Sequence, residues 1–221
     1  MKIKSNLLLY SCLSVFFQLA LMAANSQTPI LRWEKMANGV WKAKVGKPET
    51  NNLLSISESK PKTSAINEMS SVAFPLSPNE IKFEIFDGKT YLRFPLEKAE
   101  KIFGLGLNFK TVEQRGRILR LHEDHYDGVD NGRSHAPIPF YVSSKGYGVF
   151  INSARYMDIW VGTGVRVDSK NPPEVRDRNT DPKWSASPYS DNVEVLIPAE
   201  GVELYVFGGP STLDAVSRFN L

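Results

Sequence analysis

The sequence predicts an all-β protein, an antiparallel β-sandwich with a helix beginning at its C-terminus. Short runs of β-branched and aromatic residues recur along the chain, with apolar and polar positions alternating. That is the period-2 pattern of strands with one buried and one wetted face. Gly, Pro, Asn and Asp punctuate the runs, as turns between many short strands do. Helical spacing stands out only after Pro210. A chain of 221 residues without internal repeats is long enough to bury a substantial core.

At the N-terminus, Lys2 and Lys4 precede an almost unbroken apolar run from Leu7 to Met22, followed by the small residues Ala23, Ala24 and Ser26. This is the three-part pattern of a secretory signal peptide over residues 1–26, with cleavage after Ala24 or Ser26 and a mature chain starting near Gln27. The run is shorter than the ~20 residues a spanning helix needs, so no membrane span is expected; an uncleaved N-terminal anchor is the alternative. Export to the periplasm or the extracellular space follows. The only cysteine, Cys12, lies inside this segment, which leaves the mature chain without a disulfide or a thiolate metal site. Of 27 basic and 24 acidic side chains, loss of Lys2 and Lys4 leaves a net charge of +1. A near-neutral chain with scattered charges has no electrostatic footprint for nucleic acid or anionic lipid.

From Ile30 to Val45 two short strands flank Asn38-Gly39, a type I′ hairpin signal. Residues 47–70 are polar and read as a long loop with a weak strand around Leu53. The clearest hairpin spans Ile81 to Phe94 around Asp87-Gly88, where Phe83, Ile85 and Tyr91 alternate with polar neighbours and imply one buried face. Val142 to Ile151 forms another pair around Lys145-Gly146, and Gly148 allows close backbone approach. Met157 to Val167, Val193 to Ile197 and Val202 to Phe207 complete the strands. Gly208-Gly209-Pro210 then breaks the pattern. Ser211 stands as an N-cap with Asp214 three residues on, and Leu213, Val216 and Phe219 take helical spacing. A helix is expected from about Thr212, and because the sequence closes inside it, a further domain is expected beyond Leu221.

Between Leu121 and Pro137 a polar loop interrupts the strands and holds all three histidines with a concentration of carboxylates; loops of this density usually serve a function. His122, Asp124, His125, Asp127, Asp130 and His135 offer metal-ligand types, but no pair has a helix or hairpin ligand spacing and the Asp-x-Asp-x-Asp-Gly pattern is absent. No metal and no cofactor is expected. Asx turns through Asp127, Asp130 and Asn131 are the structural alternative for this loop. Among the tryptophans, Trp41 and Trp160 fall in alternating strand patterns and are expected in the core. Trp184, amid polar loop residues, is the candidate for an exposed stacking face.

Several motifs, in order, resemble the N-terminal region of glycoside hydrolase family 31, the α-glucosidase and α-xylosidase family. They are Phe103-Gly104-Leu105-Gly106, Pro139-Phe140-Tyr141-Val142-Ser143, Gly146-Tyr147-Gly148-Val149-Phe150, and Gly209-Pro210-Ser211-Thr212 with the helix after it. The resemblance covers Glu100 to Leu221; residues 27–99 match only in strand-like character. It implies a galactose mutarotase-like β-sandwich that precedes a (β/α)8 barrel, with the domains laid out as signal peptide (1–26), sandwich (27–208) and the start of the link to the barrel (209–221). It also implies that Leu121-His122-Glu123-Asp124 corresponds to a run from which an aspartate reaches the sugar site. Asp124 with the nearby Tyr126, together with Trp184 as the exposed stacking face, makes up the candidate substrate-binding set. His122 stands near the family's usual Asn, and Leu119 or Leu121 replaces its aromatic.

In the family, two barrel aspartates carry retaining chemistry, with carboxyl groups ~5–5.5 Å apart. Their motif is absent from this sequence, so the chain alone is expected to have no catalytic residue and no hydrolytic activity. The expected function is therefore the non-catalytic N-terminal domain of an exported retaining α-glycosidase. It would brace its own catalytic barrel and shape the site for an α-linked oligosaccharide or glycoside. The alternative is a stand-alone secreted carbohydrate-binding β-sandwich. A sugar epimerase is a third, poorly served because its acid and base would both come from one short loop.

Overall fold

Alternating strand patterns separated by two-residue turns pair into hairpins, and the hairpins into sheets. A computed structural model describes residues 30–108, 110–123, 134–163, 177–180, 182 and 189–221. Its strands are β1 (Trp33–Ala37), β2 (Val40–Gly46), β3 (Lys82–Phe86), β4 (Lys89–Pro95), β5 (Ile102–Gly104), β6 (Arg117–Leu121), β7 (Phe140–Ser143), β8 (Tyr147–Asn152), β9 (Met157–Thr163), β10 (Tyr189–Ile197) and β11 (Gly201–Gly208). They form a six-stranded sheet in the order β1-β2-β11-β8-β7-β5 and a five-stranded sheet in the order β3-β4-β10-β9-β6. Every pairing between these strands is antiparallel. The predicted antiparallel sandwich is the observed one. The expected signal peptide lies outside the described residues. Among those described, no helix is long and apolar enough to cross a membrane.

The core fills the space between the sheets with alternate residues of each strand. Val202, Leu204 and Val206 of β11 and Val149 and Ile151 of β8 meet Leu92 and Phe94 of β4, Ile159 and Val161 of β9, and Val193, Val195 and Ile197 of β10. Part of the outer face of the six-stranded sheet is also apolar. Val40, Phe140, Val142, Phe150 and Phe207 form a second cluster on its outer face. Three helices cover part of it: α1 (Leu53–Ile56), α2 (Thr63–Glu68) and α3 (Thr212–Asn220). The Phe219 ring of α3 stacks on Phe140, with centroids 3.8 Å apart and planes at 8°.

Local capping explains where the helices start. Ser211 caps α3 by accepting from the Asp214 backbone N–H, as its spacing predicts. The buried face of α3 follows the expected spacing at Val216 and Phe219, which pack against the sheet, but not at Leu213. Ala215 and Arg218 are buried and Phe219 packs on the sheet, whereas Leu213 is 75% exposed. The loop expected over 47–70 contains α1 and α2 instead of a weak strand. The cause is local: Asn52 and Ser55 form a reciprocal capping box that favours a helical turn over extension at Leu53.

Three further differences concern turns and faces. Asp87 and Gly88 both take positive φ, 47° and 67°, as a type I′ turn requires, but at Asn38-Gly39 only Gly39 does, at 72°. Tertiary bonds shape that second turn, since the Asn38 N–H donates to Asn67 Oδ1 at 2.9 Å and Asn38 Nδ2 to the Asn67 carbonyl at 2.9 Å. Phe83 lies opposite Leu92 and Tyr91 opposite Glu84, so Tyr91 does not share the face of Phe83. Tyr91 is buried on the other face, where its hydroxyl donates to Glu194. Trp41 is in the core as expected. Trp160 alternates with the buried Ile159 and Val161 and is half-buried on the outer face of the five-stranded sheet.

Candidate functional site

The polar loop leaves β6 at Leu121 and the chain re-enters the sandwich before β7, so its root is where any loop-borne group is aimed from. Three consecutive residues with positive φ build the seat of this root: Gly104 (98°), Leu105 (64°) and Gly106 (91°). Leu105 is fully buried despite its strained backbone. A Cβ at Gly106 would stand 2.2 Å from the Ala136 carbonyl oxygen, so only glycine lets the returning chain approach this closely. The Leu105 N–H donates to the Phe140 carbonyl at 2.8 Å and the Leu107 N–H to that of Ala136 at 3.2 Å. Asn108 Nδ2 closes the turn by donating to the carbonyls of Gly104 and Gly106, each at 3.1 Å.

Both ends of the loop meet on this seat. Glu123 and Ser134 form a parallel bridge, the Ser134 N–H points to the His122 carbonyl at 3.4 Å, and Ser134 Oγ donates to the Leu107 carbonyl at 2.7 Å. The His122 ring stacks on Tyr156, with centroids 4.0 Å apart and planes at 21°, while Tyr156 remains 59% exposed. The candidate residues Asp124, Tyr126 and Trp184 lie outside the described residues, as do Asp127, Asp130 and Asn131. Among the described residues no group of three His, Cys, Asp or Glu side chains is placed to hold a metal ion.

A buried carboxylate ties the seat to the sheet behind it. Glu100 is 2% exposed; its Oε1 accepts from Ser143 Oγ and from the Tyr147 hydroxyl, each at 2.5 Å, and its Oε2 accepts from the Glu97 N–H at 2.7 Å. Burial first, and then the Glu100 charge, push the Tyr147 phenol far above its ordinary value, so it stays a donor. Arg115 Nη1 donates to the carbonyls of Glu97 and Glu100, each at 2.7 Å, and Nη2 pairs with Asp191 at 2.7 Å. The turn preceding β5 is thereby held by both Glu100 and Arg115. Neither the hydroxyls on Glu100 nor the His122–Tyr156 stack emerges from the sequence, because Ser143 and Tyr147 lie 43 and 47 residues from Glu100 and Tyr156 lies 34 from His122. The only local trace is the Phe-Gly-Leu-Gly motif.

The sequence profile described as the glycosyl hydrolase 31 N-terminal galactose mutarotase-like domain matches residues 39–159, more than half of the chain. Among relatives, the α-xylosidase XylQ of Lactiplantibacillus pentosus is 25% identical over 131 residues, 58% of this chain and 14% of that protein. An α-xylosidase of Emericella nidulans is 29% identical over 122 residues, 44% of this chain and 16% of that one. The chain thus spans about a seventh of the length of these curated relatives. A GH31 dextranase of Flavobacterium johnsoniae, solved with isomaltotriose, superposes with a TM-score of 0.55 at 13% identity, over 88% of this chain and 25% of the dextranase. That last likeness is one of fold.

Proposed function

This chain belongs to the glycosyl hydrolase 31 N-terminal galactose mutarotase-like domain family, and from that premise we propose that it is the non-catalytic N-terminal β-sandwich of an exported retaining α-glycosidase. The observation that carries the proposal is the family match over residues 39–159, which takes in the Gly104–Gly106 seat and both ends of the polar loop. In this role the sandwich braces a (β/α)8 barrel and aims the loop at the barrel mouth. There Asp124 accepts sugar hydroxyls, with Tyr126 and Trp184 offering apolar faces. The barrel supplies the nucleophile and the acid, about 5–5.5 Å apart. An α-linked oligosaccharide or glycoside is the substrate class, in keeping with the xylosidases and the dextranase the chain resembles. Residues 1–26 direct export and are removed, and residues 209–221 begin the connection to the barrel.

The test starts with the coding DNA downstream of the Leu221 codon. The proposal expects an open frame that encodes barrel strands with paired aspartates. The protein so encoded should hydrolyse an aryl α-xyloside or α-glucoside with retention of configuration. A stop codon with no barrel behind it would overturn the proposal and leave a secreted sandwich whose sugar binding becomes the question.

A further inference from the structure

β6 and β9 pair at the edge of the five-stranded sheet, with Ile118 opposite Trp160 and Arg120 opposite Asp158. One step further in the same register, just past the strands, His122 stacks on Tyr156. Leu119, Leu121, Met157 and Ile159 point into the core, so the alternate residues of these two segments share the outer face. Three cross-strand pairs therefore run in a line: an aromatic with an aliphatic, a charged pair, and an aromatic pair. The line is open to solvent along Ile118, Arg120, Asp158 and Tyr156, and Trp160 at its end is half-buried. Tyr156 and Ile118 are 59% and 46% exposed, and the side chains of Arg120 and Asp158 are 61% and 46% exposed.

We propose that this stripe is a surface site for a neutral oligosaccharide, with Tyr156 and Trp160 as platforms and the Arg120–Asp158 pair binding hydroxyls between them. Two aromatic residues four positions apart on a strand are separated by about 13 Å, longer than one pyranose ring. The stripe is thus laid out for a chain of sugars. Aromatic side chains offer flat apolar faces, which suit the C–H faces of pyranose rings. A carboxylate accepts from hydroxyls while a guanidinium donates several bonds in a fixed plane. Arg120 Nε and Asp158 Oδ1 stand 4.0 Å apart, at the limit of an ion pair. Both groups keep hydrogen-bonding capacity for a ligand, and such an exposed pair contributes little to stability. The balanced charges favour a neutral ligand over an acidic polymer. This site needs the sandwich alone; only the choice of α-glucans among the probes rests on the function proposed above.

Native gel electrophoresis of the full chain through gels containing dextran, soluble starch or xyloglucan tests the site. The expected result is retardation by at least one polysaccharide. Tyr156→Ser and Asp158→Asn should each weaken it by about tenfold, while Tyr156→Phe retains it and the urea midpoints of all three stay near that of the unaltered chain. Absence of retardation on all three polysaccharides overturns the site. So does retardation that survives in the double variant Tyr156→Ser with Asp158→Asn. Neither result touches the proposed function, because a small aryl glycoside hydrolysed in a barrel has no need of the stripe.

Discussion

Arg218 is only 1% exposed, and its acceptors are backbone carbonyls. Nε donates to Asn38 at 3.0 Å, Nη2 to Ser70 at 2.7 Å and Nη1 to Asp214 at 3.3 Å. The guanidinium fork thus pins α3 to the β1–β2 turn and to the segment after α2, a task that a single ammonium does not share. Arg218→Met should cost about 2–4 kcal/mol in urea unfolding, and Arg218→Lys should not restore it. Lys42 and Glu203 make a second residue-scale case, at 2.8 Å on the outer face of the six-stranded sheet. Burial raises the Glu203 carboxyl, but the bond from Lys42, with Asn152 and Lys44, outweighs it and holds the group below its ordinary value. Burial likewise lowers Lys42, and Glu203 and Tyr205 outweigh it upward. A depressed carboxyl contributes stability above its unfolded value that is lost as pH falls through the folded one. A raised lysine contributes stability below its unfolded value that is lost as pH rises through the folded one. Stability should therefore decline below the ordinary glutamate range and above the ordinary lysine range, and Lys42→Met should flatten both limbs of a pH series of urea midpoints.

At the scale of elements, α3 and the loop seat are held in different ways. Phe219 stacks on Phe140 and sits edge-on to Phe207 at 5.7 Å, so α3 is held by aromatic burial more than by its own length. A helix of nine residues is marginal alone. Phe219→Ala should cost about 3–5 kcal/mol, and calorimetry should show α3 and the sandwich melting together. The seat makes a different demand. Gly106→Ala adds a methyl group against the Ala136 carbonyl at a φ of 91°, and should lower the urea stability by at least ~2 kcal/mol. If the loop serves the proposed sugar site, the same variant weakens substrate binding by the barrel-bearing protein beyond its effect on stability.

For the whole molecule, the outer face of the six-stranded sheet decides how the chain behaves in isolation. Beside α3 it holds a pocket of 560 Å³ lined by residues that include Leu53, Ile66, Ile138, Phe150 and Leu221, and Met36 and Ile138 are each 45% exposed nearby. Apolar surface of this kind marks an interface or an aggregation liability. A 27–221 protein should accordingly self-associate, giving concentration-dependent species in sedimentation velocity. A monodisperse monomer at high concentration would count against a bracing role. The proposed export has its own check: if residues 1–26 direct it, N-terminal sequencing of the exported form should start at Asn25 or Gln27.

Most of the strands along the chain, the Asp87-Gly88 hairpin and the start of α3 at Thr212 were legible in the sequence, because alternation, turn chemistry and capping act between residues a few positions apart; β6 was not singled out. The Phe-Gly-Leu-Gly motif, which carried a family resemblance, could also have marked the loop seat, since its backbone demands are local. By the same logic α1 was within reach through the Asn52–Ser55 capping box, hidden only by the polar composition around it. Which strands neighbour one another was decided in three dimensions. β11 lies between β2 and β8, and β10 between β4 and β9; these pairings join residues separated by about a hundred positions or more in some cases, with no local signature. So were the outward face of Trp160, the burial of Tyr91 against Glu194, the hydroxyls gathered on Glu100 and the carbonyls gathered on Arg218. Each depends on contacts between segments far apart in the sequence, and alternation assigns residues to two faces without saying which face meets the second sheet.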